Sequence, residues 1–189
     1  MSKNKKSSKE KIIETASRLF QTQGYHATGL NQITKESGAP KGSLYYYFPE
    51  GKEQLASIAV ESTSKYIANH IKDGLKKEEN PIEAIQLFIT NLADEFEKQD
   101  GKQGLPVASV ALETSQTSET LRMSCNHAYE TWHEAFAEKL IQAGYEKEKA
   151  LELGLVINAM IEGAFIIVLT RKDSEPLRQV ARYIPNLLK

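Results

Sequence analysis

At 189 residues the chain is long enough to bury a sizeable core, and 40% hydrophobic with 26% charged residues is the balance of a water-soluble globular protein, which excludes a fibrous or disordered chain. The single cysteine, Cys125, excludes an internal disulfide framework and points to a reducing compartment. The net charge of −1 is unevenly placed: residues 1–52 hold nine Lys/Arg against four Asp/Glu and the remainder 15 against 21, so the amino-terminal end is the one suited to a polyanion.

The opening MSKNKKSSKEK is basic but leads into an amphipathic helix and not into an apolar run, so it does not read as a secretory signal and a cytoplasmic protein is expected. Lys3, Lys5 and Lys6 read as a solvated end that adds non-specific attraction to phosphate. Ile12, Ile13, Ala16, Leu19 and Phe20 recur at helical spacing, which predicts a first helix from Ser7 to Gln23 stopping at Gly24. Thr28 stands ahead of Leu30 and Ile33 as the expected N-cap of a short second helix, and Gly38 supplies the tight turn after it. Pro40 suits the first turn of a third helix reaching Phe48. At about 100° per residue, Leu44 and Phe48 share one face with Tyr47 at its edge, while Gly42, Ser43, Tyr45 and Tyr46 fall opposite. Hydroxyls, flat rings and a glycine that lets backbone approach closely suit a major groove lined with phosphates; the plainer alternative is a half-buried amphipathic helix.

The segment from Thr28 through KGSLYYYFPEGKEQL, preceded by the Ile12–Phe20 helix, resembles the DNA-binding domain of TetR-family transcriptional repressors over about the first 60 residues. The resemblance implies a DNA-binding set of Thr28, Asn31, Gln32, Lys41, Gly42, Ser43, Tyr45, Tyr46, Tyr47 and Lys52. Within it Tyr45 contacts DNA from the recognition helix, its neighbours meet bases or phosphates, and Thr28 and Lys52 grip backbone phosphate. Phe48-Pro49-Glu50-Gly51-Lys52 is one residue longer than in typical members.

From Glu53 a fourth helix continues through Leu55, Ile58, Tyr66 and Ile71 to near Gly74. Some 20 residues at 1.5 Å each span roughly 30 Å, which makes it the natural mechanical link between domains. Pro81 opens the next helix, with Ile85, Phe88, Leu92 and Phe96 as its stripe, ending at Gln99-Asp100-Gly101. A short helix through Val110 to Glu113 follows, and after Ser115 to Ser118 another carries Leu121, Trp132, Phe136 and Leu140 to Gly144. Gly104-Leu105-Pro106-Val107-Ala108, Ala111-Leu112-Glu113 and Leu121-Arg122 resemble the TetR branch that includes regulators of lincomycin-efflux and flavonoid-response genes, whose members often have cysteine in place of Leu105.

The run Leu153–Leu169 is apolar on nearly every face, but it contains Asn158, Glu162 and two glycines and is short for a membrane span. It is expected to meet the core on one side and a second subunit on the other. A last helix, Ser174 to Leu188, is expected to end early at Pro185.

Nothing in the pattern supports catalysis. Glu130-Thr131-Trp132-His133 has the spacing of a di-iron Glu-x-x-His, but no second copy exists. Cys125 and His127 point about 200° apart on a helix, as lone residues, and no phosphate-binding glycine loop is present. The expected architecture is all-α: a helix-turn-helix DNA-binding domain, 1–52, joined by a long helix to an effector-binding and dimerisation domain, 53–189. The resemblance implies a homodimer on a palindromic DNA operator, released by a small planar hydrophobic effector, with no cofactor, metal or membrane. Phe88, Phe96, Trp132, Phe136, Asn158, Met160, Glu162 and Phe165 are the effector-binding candidates, each equally fit for core packing. The alternative is a helical small-molecule-binding or protein-interaction module without operator-specific DNA binding.

Overall fold

The computed structural model describes residues 6–98 and 107–189. Among them the chain forms nine helices and no strand: α1 Ser8–Gln23, α2 Leu30–Ser37, α3 Lys41–Tyr47, α4 Lys52–Leu75, α5 Pro81–Lys98, α6 Ala108–Thr114, α7 Glu119–Gln142, α8 Lys147–Arg171 and α9 Glu175–Leu187. Lys3, Lys5, Gln99-Asp100-Gly101 and Gly104-Leu105-Pro106 lie outside the described residues.

Local chemistry sets most helix ends. Ser7 and Glu10 cap α1 reciprocally: Ser7 N–H donates to Glu10 Oε2 at 2.7 Å and Glu10 N–H to Ser7 Oγ at 3.2 Å. Gly24 closes α1 at φ +85°, and Gly38 closes α2 in the left-handed region at φ +65°, conformations that a side chain would resist. Asn80 Oδ1 accepts from the N–H groups of Ile82 and Glu83 at the start of α5, and Ser118 Oγ accepts from Leu121 N–H at the start of α7.

Two expectations are corrected. Thr28 does not cap α2. Gly29 holds that position, with no side-chain bond, while the Thr28 hydroxyl donates to the Gly24 carbonyl at 2.7 Å from a fully buried position. Pro185 does not end α9, which runs through it to Leu187. Proline has no N–H to give the carbonyl four residues back, and that carbonyl, of Ala181, accepts instead from Gln86 Nε2 of α5 at 3.0 Å. A partner from another helix thereby satisfies the carbonyl that the proline leaves without a donor.

The chain divides into two compact units. The first holds the described residues of Met1–Ser64 and Pro106–Ala128, the second those of Lys65–Leu105 and Tyr129–Lys189. The changeovers fall inside α4 and α7, and α6 belongs to the first unit.

In the first unit α1 packs on α2, α3 and α6 around Ile12, Ala16, Leu19, Phe20, Ile33, Leu44 and Phe48, all essentially inaccessible. In the second, α9 lies against α5 and α8. Arg178 of α9 donates to Asp94 at 2.6 Å and Glu97 at 3.1 Å on α5, and Ser174 donates to Glu97 beside them. Helix α8 is long and apolar enough to cross a membrane by length and composition. It buries Ala150, Leu153, Gly154, Ile157, Asn158, Ile161, Ala164 and Val168 along one side, at the spacing of a helix packed on protein, and leaves the other side open.

Candidate nucleic-acid interface and effector region

The α2–turn–α3 element rests on side chains with no exposure: Ile33 from α2, Leu44 from α3 and Phe48 just beyond it. Burying them fixes the roll of α3. At helical pitch the same roll turns Lys41, Gly42, Tyr45 and Tyr46 to the surface, with Tyr45 51% and Tyr46 79% exposed and Ser43 and Tyr47 half-buried. A tyrosine that exposed leaves a large flat apolar area in water for no gain within the protomer. The Tyr46 and Tyr47 rings meet edge to face at 5.0 Å, which stiffens the face.

On α2, Asn31 is exposed, whereas Gln32 is half-buried with its amide donating to Glu36 Oε1 at 2.9 Å. Glu36 also accepts from Arg18 at 2.5 Å, and these hydrogen bonds hold its carboxyl below the usual range. Thr28 has its hydroxyl committed inward and offers none to a phosphate.

Lys52 is half-buried at the start of α4, its ammonium 4.4 Å from the Tyr25 ring centroid and 3.5 Å from the His26 carbonyl. Partial burial lowers its pKa, and the carboxylate of Glu113 acts in the opposite direction. Glu113 itself accepts from the His26 backbone N–H at 2.7 Å. Nothing in the sequence marks His26 and Glu113 as partners, since they stand 87 residues apart and only Gly24, beside them, carried a visible signal.

All eight effector candidates lie in the second unit. Phe88, Phe96, Trp132, Phe136 and Asn158 are each 5% exposed or less, while Met160, Glu162 and Phe165 are half-buried. Phe88 packs edge to face on Phe136 at 5.8 Å and takes the His70 ring at 5.7 Å, and Trp132 meets Tyr129 at 5.2 Å. The deeply buried rings therefore also serve as core. Burial lowers the pKa of His133 against the pull of Glu130 and Glu134. Cys125 is buried, which pushes its thiol up to about 11, and His127 is exposed.

Burial pushes the Glu162 carboxyl from 4.5 up to about 7. Below about pH 4.5 it is protonated in both folded and unfolded chains. As pH rises toward 7 the unfolded chain releases the proton while the fold holds it, so this group removes stability across that window. Glu162→Gln is expected to flatten the decline in melting temperature between pH 4.5 and 8, and an unchanged decline would show that Glu162 is solvated.

Residues 12–57 match the family described as bacterial regulatory proteins, tetR family, and residues 81–183 the family described as transcriptional regulator LmrA/YxaF-like, C-terminal domain. Two proteins of Bacillus subtilis (strain 168), the HTH-type transcriptional regulator LmrA and the uncharacterized HTH-type transcriptional regulator YxaF, are each 50% identical to this chain over 182 residues. Those matches cover 96% of this chain and 97% and 95% of theirs. The crystal structure of reduced NemR from E. coli superposes with a TM-score of 0.83 at 20% identity, covering 96% of this chain and 97% of that one. A TetR transcriptional regulator from Legionella pneumophila superposes with 0.83 at 22% identity, covering 98% and 100%.

Proposed function

The chain belongs to the TetR family of bacterial transcriptional regulators, which are DNA-binding proteins and not enzymes, and from that premise we propose that it is a repressor that binds a palindromic operator as a homodimer and is released by a small planar hydrophobic effector. The observation that carries the reading is the α3 surface: Lys41, Gly42, Tyr45 and Tyr46 are presented to solvent by a helix whose opposite side is locked into the core. In this reading Tyr45, Tyr46, Gly42 and Ser43 face bases, Lys41, Asn31 and Lys52 face phosphates, and Thr28 supports the loop behind them. Residues 1–52 are the DNA-reading domain and 53–189 the effector-binding and dimerisation domain, working in the cytoplasm.

A seven-residue recognition helix reads only a few base pairs, so useful specificity needs two copies on half-sites about 34 Å apart or a multiple of it. The open side of α8 supports that assembly. Leu151, Leu155, Val156, Ile166 and Ile167 are each at least 40% exposed and lie along one helical stripe, with Tyr183 of α9, 55% exposed, as a further apolar group. An effector among Phe88, Phe96, Trp132, Phe136, Asn158, Met160, Glu162 and Phe165 would meet aromatic walls with two polar groups. Release requires it to prefer a conformer in which α4 moves the two recognition helices off the half-site spacing. Taking the dimer from about 99% to 1% competent needs a preference of about 10⁴, or 5.5 kcal/mol.

The test is fluorescence anisotropy on DNA from upstream of the coding region against scrambled DNA at about 0.15 M salt, with and without flavonoids and lincosamides. Preference for the upstream DNA by about 10³, lost on adding one class of compound, is the expected result; equal weak binding to both would sink the repressor reading. Tyr45→Ala is expected to lower the preference at least roughly tenfold with the salt slope unchanged, whereas Lys41→Ala weakens both DNAs alike and reduces the slope by about one.

A further inference from the structure

The first unit contains the described residues of Pro106–Ala128, which in sequence stand between two stretches of the second unit. Its helix α6 is seated on the loop between α1 and α2. Ser109 Oγ donates to the carbonyl of Phe20 in the last turn of α1 at 2.8 Å. One turn on, Glu113 Oε2 accepts the backbone N–H of His26 at 2.7 Å, and the Glu113 carbonyl accepts from His26 Nε2 at 3.3 Å. The other carboxylate oxygen occupies the space a side chain would take at Gly24: a Cβ built there falls 1.9 Å from Glu113 Oε1. The carboxylate is thus keyed into a notch that exists only because residue 24 is glycine, itself at φ +85°. Its grip is on main chain, so moving it moves the loop and not merely a rotamer.

That loop sets the reading head. Residues 24–29 end α1 and launch α2, and the buried Thr28 hydroxyl ties the end of the loop back to the Gly24 carbonyl. A shift of the Gly24–His26 backbone is therefore carried into α2 and, through the Gly38 turn, into α3.

We infer that Glu113 is a positioning residue for DNA recognition, the contact through which α6 holds the α1–α2 loop and with it the pose of α2 and α3. The inference rests on the DNA-reading role proposed above. It assigns to one carboxylate a task unrelated to charge matching with DNA, carried out wholly within the first unit.

The full-length chain is compared with Glu113→Ala and Glu113→Gln by amide hydrogen exchange and by binding to a duplex that the wild-type protein selects from a random pool, against scrambled DNA. In Glu113→Ala, exchange across residues 24–34 should rise about tenfold while residues 12–20 and 52–64 are unchanged, and the selected-to-scrambled ratio should fall about tenfold. The glutamine amide oxygen still accepts the His26 N–H, so Glu113→Gln should stay within about threefold of wild type on both measures. Unchanged exchange, exchange rising equally throughout the first unit, or an unchanged ratio would overturn the inference. Glutamine behaving like alanine would also overturn it, by placing control in the charge beside Lys52. A wild-type protein that selects no duplex would overturn the DNA-reading role and this inference with it, a failure told apart by the exchange data, which still show whether Glu113 holds the loop.

Discussion

Leu155→Arg is expected to give a folded protomer that no longer dimerises and loses at least about 10² in affinity for a two-half-site operator. Leu155 is 51% exposed on the open stripe of α8, so the guanidinium of an arginine there can reach water in the protomer. In a two-fold assembly built on that stripe, each guanidinium would be forced against the apolar face of the partner, or against its own symmetry mate, and a buried unpaired charge costs several kcal/mol. Losing the dimer turns the second half-site contact from an intramolecular event at an effective concentration of about millimolar into a bimolecular one. Equilibrium sedimentation and operator titration check both halves. A Leu155→Arg protein that remains dimeric would move the interface off α8, and one that is monomeric yet binds the operator as before would remove the need for a dimer.

One residue earlier, Gly154→Val is expected to act in the opposite way and destabilise the fold by about 3 kcal/mol, lowering Tm by roughly 6–12 °C. A Cβ at this position would lie 2.5 Å from the carbonyl oxygen of His133 and 3.2 Å from the nitrogen of Ala137, both on α7. The obstacles are backbone atoms, so no rotamer change clears them, and α7 and α8 must separate along their crossing. That separation opens a core shared by Trp132, Phe136, Leu153 and Ile157, each 5% exposed or less. A circular-dichroism melt within about 2 °C of wild type would show that the two helices do not cross so closely. The pair of neighbours tests the two sides of α8 separately: position 154 reports on the protomer, position 155 on the assembly.

Much of this organisation is legible in the residues alone. Ser7 with Glu10 three positions on, and glycines at 24 and 38, mark helix ends by chemistry that operates within one turn. The alternation of Leu44 and Phe48 with Tyr45 and Tyr46 separates the inward from the outward side of α3 by geometry alone, and the structure buries and exposes them accordingly. Local reasoning misleads where a group has two partners to choose from. Thr28 had a helix start within reach and instead bonds back to Gly24, leaving Gly29 to cap α2. Pro185 reads as a helix stop because its own turn cannot supply the missing donor, yet Gln86, 99 positions earlier in the sequence, satisfies the freed carbonyl of Ala181.

Features that arise within a few residues of each other can be read from the chain directly: the helical segments, the turns between the first three, the outward face of α3 and the positive amino-terminal end. Those depend on backbone sterics, periodicity and charge count, which are fixed before any distant segment arrives. Only long-range packing places α6 with the first three helices, brings Glu113 to His26, turns Thr28 inward, puts Phe88, Phe96, Trp132 and Phe136 in the core of the second unit, and leaves one apolar side of α8 open. Each of these joins groups far apart in sequence or apportions a surface between core and solvent. Which distant groups meet is set by how all the apolar faces are buried at once, a condition no local window of the chain contains.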